Sequence, residues 1–405
     1  MNACAMQSAY IFLTPSIAEI GGAERYLNAK VSWLVENGWD VYILSQYSGK
    51  LPFEYEGAEL VCFPELAAKP YCVKKARIDR LLETMQRNLQ KYELIYIESS
   101  TIQISFWGEM LASKVGGRHL LFHLGEKAPN LSRREIEYLS FKASRNEFAC
   151  ITEDVFTRAF SGINIPRENM SESRVLTAWM GDPVQDVSFD DSVIPPSDFR
   201  IGCLSRLDKP YLEQALKSVR AFCAHHKSKK IACVLIGDSA LCGSRERLED
   251  ICRDVSNCSL TFLGAMSPIP KNLLQSFDVV MAKAGSAIVA AREGVPTIVY
   301  GIEDDACRGV VGLECADKEI SAEFLLKEIL IDDKYKGVDL KSKVAAYKPP
   351  KFEEHFKFVE PRCNERMHFD TRRLRPSARS FASSLWALAF REHPYAALAR
   401  FKSMF

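Results

Sequence analysis

A pair of cations, Arg206 and Lys209, is the feature of this sequence best suited to bind a phosphate. They lie three residues apart, directly after an apolar segment that ends at Leu204. The planar guanidinium offers two parallel donors to one phosphate, and the ammonium adds a compact charge beside it. Because a buried strand fixes the backbone of the residues that follow it, this spacing predicts a diphosphate site at the end of a strand.

Turns that contain glycine follow two other apolar runs in the same half of the chain. Gly237 and Asp238 come after one run, and Gly264 comes after the next. Glycine admits the backbone conformations of a tight turn and lets a ligand approach closely. These residues are therefore predicted to line the base and ribose of a nucleotide, although ordinary turn chemistry would also account for them.

A further turn, from Lys283 to Ala287, joins a predicted strand to a predicted helix. All of its residues after Lys283 are small, so the backbone N–H groups at the start of the helix are open to a ligand. Such groups, aligned with the helix dipole, bind phosphates. Gly285 and Ser286 are predicted to contact the diphosphate, and the alternative is a connection that needs small residues only for packing.

Two groups of residues in the first half of the chain could bind an anion or move a proton. Gly21 and Gly22 precede a predicted helix and would bring backbone N–H groups to an anion, although two glycines before a helix are often only a loop. His123 ends a predicted strand, and Glu126 follows it. Imidazole titrates near neutral pH, and a neighbouring carboxylate can serve as acid or base, so both are predicted to be catalytic. A structural histidine is the alternative.

Composition excludes several classes of partner. The 53 basic and 52 acidic side chains among 405 residues leave a net charge of +1, so no global field attracts nucleic acid. The 13 cysteines contain no C-x-x-C pair, which predicts no metal site and a reducing, cytoplasmic environment. The first residues lack the pattern of a secretion signal, and no run of about 18 apolar residues follows.

The elements that must position these residues alternate between strand and helix. Short apolar runs recur between amphipathic patterns such as Leu27, Val31 and Leu34. This alternation predicts an α/β fold built from two doubly wound, Rossmann-like parallel sheets. The predicted strands are 9–13, 41–44, 60–63, 94–97, 119–122 and 148–151 in the first half, and 201–204, 232–236, 260–263, 279–282 and 297–300 in the second.

Prolines divide the chain into three predicted parts. The double proline at 195–196 predicts a linker between a first domain, residues 1–194, and a second, residues 199–345. Residues 346–405 form a predicted extension, basic and rich in aromatic side chains from residue 361 onward. It is expected either to lie at an anionic membrane surface or to pack back onto the protein. Ligands of doubly wound sheets bind at the carboxyl ends of the strands, so the site is expected between the two domains.

Together these motifs resemble those of glycosyltransferases with the GT-B fold, and most closely those of glycosyltransferase family four. Residues 21–25 (GGAER) match the N-terminal signature of that family. The other similar segments are residues 205–209 (SRLDK) at its Arg and Lys signature, 234–238 and 260–264 at its next two strand ends, and 293–297 at its G-x-P turn. The resemblance covers roughly residues 9–330.

One departure concerns two glutamates that this family places eight positions apart before the G-x-P turn. Met281 and Val289 hold those places, which leaves the donor sugar and the stereochemical outcome open. The turn at 283–287 is instead similar to that of the inverting, lipid-linked N-acetylglucosaminyl transferases of wall synthesis. The sequence has no Asp-x-Asp triplet for a donor-bound metal.

The resemblance implies a metal-independent hexosyltransferase without a cofactor. It would move a sugar from a nucleotide-diphosphate donor to a glycan or lipid-linked acceptor in cell-surface polysaccharide synthesis, at the inner face of the membrane. Arg206 and Lys209 would neutralise the departing diphosphate. Two alternatives remain: a sugar-nucleotide epimerase, and a GT-B protein without activity that binds a glycan or a partner enzyme.

Overall fold

The structure, a computed structural model, consists of two compact units. Unit 1 comprises Met1–Met180 and Pro349–Phe405, and unit 2 comprises Gly181–Lys348. Each unit has apolar cores on both faces of its own sheet. The residues described are 7–15, 17, 21–46, 51, 53–125, 131–151, 176, 184–239, 242–301, 304–315, 319–345, 351–357 and 368–371.

Unit 1 is built on a six-stranded parallel sheet. Its strands are β1 (Ser8–Thr14), β2 (Asp40–Ser45), β3 (Ala58–Cys62), β4 (Leu94–Ser99), β5 (Arg118–His123) and β6 (Phe148–Cys150), and its first helices are α1 (Gly22–Glu36), α2 (Lys75–Leu89), α3 (Ile102–Val115) and α4 (Arg133–Ser144). The spatial order is β3-β2-β1-β4-β5-β6. The chain therefore reverses its direction of travel across the sheet between β1 and β4, and ligands of such sheets bind at this switch point.

Unit 2 has a seven-stranded sheet of the same kind with two antiparallel strands at one edge. The main strands are β8 (Phe199–Leu204), β9 (Ile231–Ile236), β10 (Cys258–Gly264), β12 (Val279–Lys283), β13 (Thr297–Tyr300), β14 (Cys307–Val310) and β15 (Glu314–Cys315), and β7 (Val184–Gln185) pairs with β11 (Ile269–Pro270). The order β10-β9-β8-β12-β13-β14-β15 places the switch point between β8 and β12. The predicted α/β class with two doubly wound sheets is confirmed.

The helices of unit 2 cover both faces of its sheet. They are α5 (Pro210–His225), α6 (Ser244–Cys252), α7 (Lys271–Gln275), α8 (Gly285–Arg292), α9 (Ala322–Leu330) and α10 (Leu340–Val344). Ala215, Leu216 and Val219 of α5 are fully buried, because their spacing gives this helix an apolar stripe against the sheet. Among the described residues, no helix combines the length and the apolar character needed to cross a membrane.

The boundaries between the two units differ from those that the prolines predicted. The predicted linker at 194–197 lies inside unit 2, where Ile194 is buried in the core. Likewise, the predicted extension 346–405 begins with a helix of unit 1, α11 (Phe352–Lys357). Phe352 and Phe356 are one turn apart and pack against Trp33 and Trp39 at ring-centroid distances of 5.7 and 5.3 Å. This apolar face explains why the segment returns to unit 1. Apart from 368–371, residues 358–405 lie outside the described part.

A buried polar network, the Lys30 network, ties α11 to α1 and β4. Lys30 Nζ lies 2.5 Å from Glu98 Oε2, and the Tyr10 and Tyr26 hydroxyls donate to the same carboxylate at 2.5 and 2.8 Å. His355 Nδ1 of α11 lies 3.1 Å from Lys30 Nζ. All five side chains are nearly inaccessible to solvent. The network therefore fixes α1, whose first residues are Gly22 and its neighbours, relative to β4.

A second network, the Glu109 network, anchors the segment 368–371. Glu109 Oε2 accepts from Lys142 Nζ at 2.9 Å and lies 3.0 Å from His119 Nδ1, while Glu109 Oε1 accepts from the backbone N–H of Phe369 at 2.8 Å. His119 Nε2 lies 3.0 Å from Ser99 Oγ. This Ser-His-Glu arrangement resembles a hydrolase triad, but Ser99 is fully buried, so its role is structural.

The buried imidazoles make the stability of unit 1 sensitive to acid. Burial, with the charge of Lys142, lowers the pKa of His119 to about 4, and burial, with the charge of Lys30, lowers the pKa of His355 to about 2. Burial alone would raise the pKa of Glu109, but Lys142 and His119 hold it well below the usual range. Both imidazoles are therefore neutral in the fold near pH 7.

We expect the unfolding free energy of unit 1 to fall as the pH is lowered from 7 to 5. An unfolded histidine titrates near pH 6.5, so the unfolded chain binds more protons in this range than the fold does. Each buried imidazole then costs on the order of 2 kcal/mol between pH 7 and 5. The contribution of Glu109 is lost only at lower pH. All five tryptophans belong to unit 1, so urea unfolding followed by tryptophan fluorescence measures this effect.

The variant His119→Gln should remove about half of this pH dependence, and His225→Gln, which changes an exposed histidine of unit 2, should leave it unchanged. A stability that is the same at pH 7 and pH 5 would show that the buried imidazoles do not govern it.

Candidate functional site

Arg206 and Lys209 lie at the carboxyl end of β8, as predicted. Arg206 Nη2 donates to Asp208 Oδ2 at 3.2 Å, and the Arg206 side chain is 38% exposed. Lys209 is the residue before the first turn of α5, where Pro210 supplies a backbone already suited to the helix. A nearby carboxylate thus orients the guanidinium, which remains accessible to an anion.

Backbone contacts join the loops after β8, β9 and β10. Leu207 N donates to Asp238 O at 3.1 Å, and Gly237 N donates to Gly264 O at 2.8 Å. Gly237 has φ +154°, and a Cβ built on it would overlap the carbonyl oxygen of Ser205, so only glycine fits there. The predicted residues Arg206, Gly237, Asp238 and Gly264 therefore belong to one connected edge.

The small-residue turn lies on the other side of the switch point of unit 2. Leu204 of β8 pairs in register with Ala282 of β12, so Ser205 and Lys283 stand at the same height on adjacent strands, which are about 4.8 Å apart. Gly285 opens α8, and the N-cap residue before it, Ala284, makes no side-chain capping hydrogen bond. Gly285 and Ser286 thus stand across the switch point from Arg206, where free N–H groups favour an anion.

Lys283 is held by an acid that the sequence pattern did not indicate. Its ammonium donates to Asp305 Oδ1 at 2.7 Å, with side chains 9% and 16% exposed. Ala284 and Asp305 both have positive φ, 52° and 58°, which costs energy for residues other than glycine. No sequence pattern connects Lys283 with Asp305, because Asp305 follows the next strand, β13. The Lys283–Asp305 pair has no net charge, but it fixes an ammonium at the edge beside α8 whose other N–H groups can donate to an anion.

The two places where the resembled family has glutamates are apolar core positions here. Met281 is fully buried in β12, and Val289 of α8 is 4% exposed. They pack in the two cores on opposite faces of the sheet. Neither side chain could contact a ligand, and an acid at either position would be buried without a partner. Asp305 is the carboxylate that unit 2 places near α8 instead.

In unit 1, Gly21 precedes α1 at the carboxyl side of the sheet, but a carboxylate of the chain already lies there. A Cβ built on Gly21 would come within 2.5 Å of Glu24 Oε2. Glu24 stands three residues after Gly21, the position from which a carboxylate reaches back to the helix N-terminus. An incoming anion would compete with Glu24 for the N–H groups of Gly22 and its neighbours.

Small hydroxyl side chains line the switch point of unit 1. Ser100, which follows β4, donates from Oγ to Thr14 Oγ1 of β1 at 3.2 Å. Both residues are buried. The sequence did not indicate these two residues, because serine and threonine are common at strand ends. Their proximity depends on the order of the strands, which places β1 beside β4.

His123 ends β5, the strand next to β4, and is 4% exposed. A Cβ built on Gly125 would come within 2.5 Å of His123 Cε1, so the chain after the strand passes close over the imidazole. Glu126 lies outside the described residues. The predicted catalytic role of both residues stays a prediction.

Comparisons with known proteins find similarity at the level of structure. No family model matches the chain, and no curated protein matches it. Among solved structures, a glycosyltransferase from Rickettsia africae ESF-5 has a TM-score of 0.61 and 14% identity, covering 87% of this chain and 93% of that one. HepE of Anabaena, in complex with UDP and glucose, has a TM-score of 0.56 and 13% identity, covering 83% and 94%.

The lipopolysaccharide outer core galactosyltransferase WaaB, in its apo form, has a TM-score of 0.55 and 13% identity, covering 87% of this chain and 99% of that one. At these identities the likeness shows the fold alone. The fold is that of the GT-B glycosyltransferases, as the motifs predicted.

Proposed function

We propose that this chain is a glycosyltransferase that takes its sugar from a nucleotide-diphosphate donor bound to unit 2. The observation that carries this proposal is the edge formed by Arg206, Lys209, the Lys283–Asp305 pair and the uncapped N-terminus of α8 around one switch point. Cations and free N–H groups converge there, as a diphosphate requires. The solved structures with this fold support the proposal, since HepE was solved with UDP and glucose.

In the proposed reaction, an acceptor hydroxyl oxygen bonds to C1 of the donor sugar while the bond from C1 to the phosphate oxygen breaks. The bonding electron pair leaves with the diphosphate, and the hydroxyl proton passes to a base. Fixed cations placed where this charge develops stabilise the transition state more than the ground state. Arg206 and Lys283 would do this without a metal ion, and His123 is the proposed base of unit 1.

We further propose that the transferred sugar is a hexose and that the acceptor is a glycan or a lipid carrier in the synthesis of cell-surface polysaccharide. WaaB, which has this fold, is a galactosyltransferase of the lipopolysaccharide outer core. The basic, aromatic residues from 361 onward would attract anionic lipid. This would hold the enzyme at the inner face of the membrane, close to a lipid-linked acceptor.

A screen of nucleotide sugars tests the proposed function. Donors that stabilise the fold against heat are selected first, because a ligand that binds only the native state raises the melting temperature. The full chain is then incubated with each selected donor, with and without glycan and lipid-linked acceptors, and the products are analysed. Release of nucleoside diphosphate supports transfer. If the sugar is altered while the diphosphate stays intact, the chain is an epimerase. If donors bind and no product forms with any acceptor, the chain is a GT-B protein without activity.

Replacing Lys283 by Gln should weaken binding of a nucleoside diphosphate about 10-fold, because one charge-assisted hydrogen bond is lost. Asp305 would then also lack its partner and repel the anion. Calorimetric titration with the diphosphate measures the change. Lys336→Gln, which changes an exposed lysine of the same unit, should leave the affinity unchanged. Equal affinity in the wild type and in Lys283→Gln would remove Lys283 from the site.

A further inference from the structure

Unit 2 contains a polar cavity whose lining includes none of the residues assigned to the diphosphate. The cavity measures about 420 Å³ and lies where α5, the end of β13 and the start of α9 meet. Tyr300 and Cys307, both buried, form its floor, and Gln214, Glu319 and Ser321 stand at its more exposed rim. Its size falls in the range of pockets that hold small ligands.

The floor of this cavity carries a polar group whose hydrogen bonding is incomplete. The Tyr300 side chain is 2% exposed, and its hydroxyl lies beside the Ser218 hydroxyl but makes no well-formed hydrogen bond to any described residue. Its ring packs against Tyr211 at a centroid distance of 5.1 Å. Ser218, on the wall, donates its own hydroxyl hydrogen to the carbonyl oxygen of Gln214 at 3.1 Å. A buried hydroxyl whose hydrogen bond is incomplete is unfavourable, so a ligand that gave the Tyr300 hydroxyl a full hydrogen bond would be held.

The charges around the cavity disfavour an anion. Among the described residues, its lining contains the carboxyl group of Glu319 and no lysine, arginine or histidine. One N–H group at the N-terminus of α9 already has a partner, because the Ser321 hydroxyl accepts from Phe324 N at 3.3 Å. A phosphate or a nucleotide would therefore meet a like charge without compensation.

The remaining groups fit a neutral ligand that carries several hydroxyls. The Gln214 amide both donates and accepts, the Glu319 carboxylate and the Ser218 hydroxyl accept, and the Tyr300 hydroxyl can do either. Ile320 and Ala322 add small apolar surfaces beside them. A sugar ring presents hydroxyl donors and acceptors beside apolar carbon–hydrogen surface. The polar and apolar groups of the cavity are complementary to such a ring.

We propose that this cavity binds a neutral saccharide at a site of its own in unit 2. The inference goes beyond the proposed transfer reaction and does not rest on it, because it uses no residue of the diphosphate edge. In a chain that acts on glycans, such a site would retain a sugar unit of a longer glycan.

The test uses the full chain and the methyl α-glycosides of glucose, galactose, mannose and N-acetylglucosamine as probes. Saturation-transfer NMR detects binding, and titration gives the affinity. For ligands of this size we expect a Kd on the order of 1 mM for the best probe. Tyr300→Phe removes only the hydroxyl and should raise that Kd roughly 3-fold to 10-fold. Gln214→Ala, on the exposed face of α5, should have an effect of similar size.

Two further variants separate this site from the proposed donor site. Gln90→Ala, an exposed glutamine of unit 1, should change nothing, and Arg206→Ala should leave glycoside binding intact even where it abolishes diphosphate binding. The proposal is overturned if no glycoside gives a saturation-transfer signal when its concentration is roughly 20 times the expected Kd. It is also overturned if the affinity is unchanged in both cavity variants, if Arg206→Ala abolishes glycoside binding, or if inorganic phosphate displaces the glycoside.

Discussion

Replacing Arg206 by Ala should lower kcat/KM for sugar transfer about 100-fold, the loss expected when one charge-assisted, two-point contact to a phosphate is removed. The loss should exceed the change in affinity for the intact donor, because charge grows on the leaving diphosphate only as the bond breaks. The measurement is steady-state transfer with the donor found in the screen, together with titration of the nucleoside diphosphate product.

Arg206→Lys should recover only part of the activity, since an ammonium keeps the charge but cannot bind two oxygens in one plane. Arg245→Ala changes an arginine of unit 2 that is 61% exposed and should behave as the wild type. If Arg206→Ala left both the diphosphate affinity and kcat/KM unchanged, the charge of Arg206 would have no part in the reaction.

Replacing Lys30 by Met should lower the unfolding free energy of unit 1 by about 3–5 kcal/mol, because it leaves Glu98 buried without its counter-ion. Both side chains are almost fully buried, at 0% and 2% exposure. The Tyr10 and Tyr26 hydroxyls still donate to Glu98, but they carry no positive charge. Tryptophan fluorescence in a urea titration again measures unit 1.

The double variant Lys30→Met with Glu98→Gln should be less destabilised than the sum of the two single variants, since it leaves no unpaired buried charge. Lys91→Met provides the matched control, because its ammonium is exposed and lies 3.9 Å from Asp40; such pairs contribute about 1 kcal/mol or less. A loss of under about 1 kcal/mol in Lys30→Met would show that the Lys30 network does not hold unit 1 together.

The central strands of both sheets could be predicted from the sequence because they are buried on two faces and therefore form continuous apolar runs, such as Val41–Leu44 and Ala232–Ile236. Their short length and their alternation with amphipathic segments favoured strands over buried helices. Because the ends of these runs mark the ends of the strands, the positions of Arg206, Gly237 and Gly285 at strand ends could also be predicted. Helices α3 and α4 were not among the predicted elements; α3 is apolar on nearly all sides, so it shows no amphipathic period.

The contacts that complete the candidate site could not be predicted, because each joins residues far apart in the chain. Asp305 meets Lys283 only because β13 lies beside β12. His355 reaches Lys30 across 325 positions, and a local pattern cannot indicate such a pairing. The double proline at 195–196 misplaced the domain boundary for a related reason: a local break in pattern does not reveal that Ile194 packs into the core that follows.

The central claim is that unit 2 binds a nucleoside diphosphate at the switch point between β8 and β12. Hydrogen exchange of the full chain, measured with and without uridine, guanosine and adenosine diphosphates, tests it most directly. The account predicts slower exchange with at least one of them at the backbone N–H groups of residues 204–209, 237–238 and 284–288. Protection confined to unit 1, or no change with any of the three, would contradict it.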